Sequence, residues 1–168
     1  VSPTTADHVR AEFPSILVLE GGESEVGIES TIVQLAENEL KILRPGMLTR
    51  DDFVAVLGSD FKICYTESPI APGHLKEHYR PNKPLVIRLL DEKLEHNFNK
   101  IHSWILPSDS VIAARQLYGK LRELDQMDGD SLEVVIEEKF LSDEKFKGIL
   151  NRLIKAAYLK STRIKSEY

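Results

Sequence analysis

Residues 111–138 read VIAARQLYGKLRELDQMDGDSLEVVIEE, and two periodicities follow one another within them. Ala114, Leu117, Tyr118, Leu121 and Leu124 recur at three- and four-residue spacing, so they share one apolar face of a helix expected from about Asp109 to Met127. LEVVIEE then reads as a strand. Working outward, LVIRLL (85–90) and SWILP (103–107) are further strands. Ser142 starts a last helix on which Phe146, Ile149, Leu150, Leu153, Ile154 and Ala157 repeat at helical spacing. Strand and helix alternate, which predicts a compact α/β unit with a partly parallel sheet and helices packed against it. DEKLEHNFNK (91–100) fits either a loop or a poor helix.

Upstream the texture differs. Ser2 or Thr4 can cap a short helix, with Pro3 in the first turn and Asp7 three residues after Thr4. Val9 and Phe13 share a face of it, and Pro14 ends it. SILVLE (15–20) has four consecutive apolar residues and reads as a buried strand closed by Gly21 and Gly22. IESTIVQL (28–35) and LKILR (40–44), separated by AENE, form an expected antiparallel hairpin. Thr49 caps RDDFVAVL (50–57), whose first-turn acids suit the helix dipole, and Gly58 stops it. From Ser59 to Lys83 prolines interrupt every period, so this stretch reads as an extended linker or crossing loop. The organisation read from the sequence is therefore 1–58, a proline-rich linker 59–83, and an α/β domain 84–168.

The 168 residues, 42% apolar and 29% charged, suffice for one core or two small ones and do not suggest wholesale disorder. With 27 acidic against 22 basic residues the net charge is -5, which argues against a broad phosphate-neutralising surface. The single cysteine, Cys64, excludes an internal disulfide and a cysteine cage for a metal, and fits a reducing cytoplasm. No apolar run approaches membrane-spanning length, and no signal peptide is recognisable. The chain opens on Val1 with a helix start immediately after, which is expected of a piece cut from something longer.

Chemistry is sparse. Gly22 and Gly27 have the spacing of a phosphate-binding P-loop, but Ile28 and Glu29 stand where lysine and a hydroxyl residue belong, so that motif is rejected. Ser30 and Thr31, in β texture, point to opposite faces, so one can face a cavity while the other bonds locally. Arg44 ends an apolar strand just before Pro45 and Gly46; its planar fork suits a phosphate or carboxylate there, and equally a surface salt bridge. His74 and His78 could share a helix face and a metal, although Glu77 is displaced from the zinc-protease position and no third ligand is obvious. His78, Tyr79 and Arg80 read more simply as a linker contact or a segment closing over a ligand. Asn151 and Arg152 could meet an anion or another domain, with a solvated helix face as the default. No nucleophile–base–acid spacing stands out.

Taken together and in order, SPTTADHV, GGESEVGIESTIVQL, ILRPGMLT, SPIAPGHLKEHYRP, AARQLYGKLRELD and ILNRLIKAA closely resemble the two-domain threonylcarbamoyl-AMP synthase family. That resemblance covers nearly the whole chain. It implies the end of a YrdC-like α/β catalytic domain followed by a small Rossmann-like α/β domain. It also implies a nucleotidyltransferase that makes L-threonylcarbamoyladenylate from L-threonine, bicarbonate or CO2, and ATP, with Mg2+ as the usual helper, for threonylcarbamoyladenosine modification of tRNA. By the same resemblance Ser30 contacts threonine, Arg44 contacts the nucleotide phosphates, Ser2 lies at the ATP edge, and His78 and Tyr79 belong to a linker that folds over the site.

The family's lysine-arginine and serine-asparagine motifs are absent from these residues, so the 168 residues alone are expected to be inactive. DEKLEHNFNK stands in place of a strand-helix segment usual in the family. A nonenzymatic RNA-binding or translation-associated module is the alternative, disfavoured by the acidic balance and by the lack of an aromatic-basic stripe. The second domain could also serve only as a lid or regulator.

Overall fold

The computed structural model describes residues 1–66 and 79–165. Two sheets organise them. The smaller is built from β1 (Ile32–Ala36), β2 (Glu39–Arg44) and β3 (Lys62–Tyr65) in the order β1-β2-β3, with β1 antiparallel and β3 parallel to β2. The larger contains β4 (Leu85–Leu89), β5 (Ile101–Ile105), β6 (Ser131–Ile136) and β7 (Leu159–Lys160), ordered β5-β6-β4-β7 and parallel throughout. Parallel neighbours need long crossovers. Here α3 (Ser110–Gln126) links β5 to β6 and α4 (Lys147–Ala156) links β6 to β7, and the two helices touch. All six residues of β6 are buried, as a central strand covered on both faces requires.

Most helix ends follow local chemistry. Asp109 caps α3 by accepting from the amides of Val111 and Ile112, and the expected face of Ala114, Leu117, Tyr118, Leu121 and Leu124 is buried. Thr49 and Asp52 form a reciprocal capping box on α2 (Arg50–Leu57), which stops at Gly58 with φ +90°. The expected hairpin forms as β1 and β2.

Several expectations change. The first helix, α1 (Ala6–Glu12), is capped by Thr5 rather than Ser2 or Thr4, and none of its residues is buried. SILVLE forms no strand among the described residues, and Leu17 and Leu19 are 89% and 84% exposed. A strand needs a neighbour to take its backbone groups, and an apolar run does not supply one. The proline-rich stretch is not all linker, because β3 lies within it and pairs with β2. α4 starts at Lys147 instead of Ser142, after two short 3₁₀ turns over 138–141 and 144–146. DEKLEHNFNK is irregular.

The two units have unequal cores. The larger sheet, α3 and α4 enclose one cluster that includes Leu85, Ile87, Leu117, Leu132, Ile149 and Leu153. Around the three-stranded sheet only Leu40, Ile42 and Ile63 form a fully buried cluster among the described residues.

Candidate functional site

The segment from Gly21 to Thr31 crosses from one unit to the other. Gly22 adopts φ +80° in open space, where a glycine relieves backbone strain. Gly27 has a different reason: a Cβ there would lie 2.4 Å from the Ala114 carbonyl oxygen and 2.5 Å from that of Arg115. The absence of a side chain thus lets the segment lie directly on the α3 backbone and delivers Glu29 to the junction between the sheets.

Glu29 is the hub of that junction. Its carboxylate accepts from Ser2 Oγ at 2.6 Å, from Tyr118 Oη at 2.8 and 3.1 Å, and from Arg152 Nε at 3.0 Å. Burial pushes the Glu29 carboxyl up, but the Ser2 bond, its own backbone amide, the Arg152 charge and the Tyr118 bond outweigh this, and the group lies below its ordinary range. Tyr118 is driven the other way, by burial first and by the Glu29 charge second, so it remains a neutral donor.

Arg152 is only 1% exposed. Besides the Glu29 carboxylate, its guanidinium donates to the Glu29 carbonyl at 3.2 Å, to the Gly148 carbonyl at 3.2 Å, and to the Pro45 carbonyl. Its ring partner is Tyr79, whose centroid lies 5.7 Å from the guanidinium carbon. Tyr79, fully buried, stacks on Tyr118 with centroids 6.0 Å apart. Burial, then the Glu29 charge, raises the Tyr79 phenol, while the Arg152 and Arg44 charges oppose them.

One residue beyond the hub, Arg44 donates from Nε to the Ser30 carbonyl at 3.1 Å, and its Nη2 lies 3.4 Å from Ser30 Oγ. Thr31 turns the other way: its Oγ donates to the Leu48 carbonyl at 3.1 Å and accepts from the Leu48 amide at 3.2 Å. Gly46 is what allows this, because a Cβ there would sit 2.4 Å from the Thr31 nitrogen.

The residues singled out in the sequence are therefore neighbours. Ser30 and Arg44 are in contact, Ser2 reaches them through Glu29, and Tyr79 approaches through Arg152. His78 and His74 lie outside the described residues. Among the described residues, no group of three or more histidine, cysteine or carboxylate side chains is placed to hold a metal. No helix among them is long and apolar enough to cross a membrane.

Sequence reasoning missed Glu29 and Tyr118 and took a solvated face as the default for Arg152. A signal did exist for Arg152. It stands three residues after Ile149 and four before Ala156, inside the buried stripe of α4. A charge in an apolar stripe demands a partner.

A parallel α/β unit thus meets a smaller sheet through a polar, hydroxyl- and arginine-bearing junction. The family model for the threonylcarbamoyl-AMP synthase C-terminal domain matches residues 28–158, and the chain belongs to that family. It is 28% identical to the threonylcarbamoyl-AMP synthase of Bacillus subtilis (strain 168), over 93% of this chain and 53% of that protein. It is 30% identical to the one from Pyrococcus abyssi (strain GE5 / Orsay), over 93% of this chain and 54% of that protein. The chain thus spans about half the length of these curated relatives. The crystal structure of P. abyssi Sua5 complexed with L-threonine shares the fold, with TM-score 0.73 and 24% identity over 95% of this chain and 56% of that one.

Proposed function

We propose that this chain forms one wall of the active centre of an L-threonylcarbamoyladenylate synthase. The reaction joins L-threonine, bicarbonate or CO2, and ATP, and releases pyrophosphate. The product serves threonylcarbamoyladenosine modification of tRNA in the cytoplasm. The observation that carries the reading is the Ser30–Arg44 pair, a hydroxyl and a guanidinium in contact within a chain of this family.

Adenylyl transfer moves a nucleotidyl group between anions, so alignment and charge stabilisation at phosphorus supply most of the catalysis. Ser30 orients the small polar amino acid through its hydroxyl. Arg44 holds the phosphates through its planar fork, and Ser2 marks the nucleotide edge. Tyr79 and its chain neighbour His78 belong to the nucleotide side of the site, Tyr79 through its contact with Arg152. When bound, Mg2+ would supply neutralisation of phosphate charge.

In this reading the 168 residues do not turn over alone. Threonine-dependent release of pyrophosphate from ATP, measured for the 168 residues and for the complete polypeptide its gene encodes, tests the proposal. Turnover is expected only from the latter, and Ser30→Ala should raise its KM for threonine. Robust turnover by the 168 residues would overturn the inactivity claim, and an unchanged threonine KM in Ser30→Ala would remove that residue's role.

A further inference from the structure

We infer that Arg152 is a positioning residue, a clamp by which the C-terminal α/β unit sets the spacing of Ser30 and Arg44. The link to substrate rests on the proposed function; the clamp itself rests on geometry. One buried guanidinium donates to the carbonyl and carboxylate of Glu29, the residue immediately before Ser30. It also donates to the carbonyl of Pro45, the residue immediately after Arg44. The two segments flank the open end of the β1–β2 hairpin, where Ile32 pairs with Arg44, and just beyond that last pair they are held together by a helix of the other unit.

The clamp is itself held in place. Its Nη1 is anchored to Gly148 within α4, and Tyr79 lies against its face. Gly148 packs so closely on the 44–46 segment that a Cβ would lie 2.6 Å from the Gly46 carbonyl oxygen. Ser2 holds the other oxygen of the Glu29 carboxylate, and Tyr118 donates to both. A planar fork with donors in fixed directions can satisfy all these acceptors together, whereas a lysine ammonium on a flexible stem cannot.

The test compares Arg152→Lys and Arg152→Met in the complete polypeptide, with hydrogen exchange and steady-state kinetics read on the same preparations. Exchange is expected to rise in segments 28–32 and 43–48 while β4, β6 and α3 keep their protection. The threonine KM is expected to rise about tenfold or more, since misplacement of a substrate contact by about 1 Å is enough for that. Arg152→Lys retains charge and bulk and keeps the test meaningful if Arg152→Met fails to fold.

Unchanged exchange in both segments, or loss of protection spread evenly through α4 and the larger sheet, would overturn the clamp. Local loosening with an unchanged threonine KM would support the clamp and count instead against Ser30 as the threonine contact.

Discussion

Glu29 shows how one side chain can be read for both stability and role. Its ordinary value is 4.5 and its folded value is lower, so the unfolded chain binds the proton more tightly. The stability this group adds is complete above that ordinary value and drains as pH falls through the depressed folded one. Glu29→Gln should therefore flatten the acid limb of a plot of unfolding free energy against pH, relative to the parent chain. An acid limb of equal slope in both proteins would show that Glu29 carries no linkage. Tyr118→Phe removes a buried donor to a charged acceptor and should cost about 1.5–3 kcal/mol in urea unfolding at neutral pH. At this scale the sequence singled out Ser30 and Arg44, which lie in contact. It was opaque for Glu29 and Tyr118, whose partners lie 27 to 123 positions away in the chain.

At the scale of elements, legibility followed locality. The α2 cap, the start of α3 near Asp109 and the β1–β2 hairpin depend on residues within a few positions, and all three were readable. β3 and β7 are four- and two-residue strands that exist only because β2 and β4 offer edges, and no periodicity in so short a run announces them. SILVLE is the converse, a strand-like run without a partner among the described residues. Two substitutions test the local and the non-local cases separately. Thr49→Ala removes one half of the α2 capping box and should cost about 1 kcal/mol in equilibrium unfolding. Gly148→Ala would normally favour a helix, but the Gly46 backbone leaves no room for the methyl group. It should instead destabilise by about 1–3 kcal/mol. A stabilised Gly148→Ala protein would mean that α4 does not press on the 44–46 segment.

For the molecule as a whole, the issue is whether two unequal units behave as one. The larger core is extensive, whereas around the three-stranded sheet Leu40, Ile42 and Ile63 are buried with Phe53, Val54, Phe61 and Tyr65 packed against them, a small core for a sheet of that size. The smaller unit is joined to the larger by the Arg152 contacts and by a second tie in which Tyr65 of β3 donates to Glu144 while Lys147 covers the Tyr65 ring. The chain supplies one reporter for each side: its single cysteine, Cys64, lies on β3, and its single tryptophan, Trp104, on β5. In rising urea, thiol labelling of Cys64 is expected to precede the Trp104 fluorescence transition, because local opening needs less exposure of surface than global unfolding. Combining Arg152→Lys with Tyr65→Phe should move the Cys64 curve to lower urea and leave the Trp104 midpoint much closer to that of the parent chain. Equal shifts of both curves would mean that the two sheets share a single cooperative transition, with the junction acting as ordinary core instead of as a coupling between separable units.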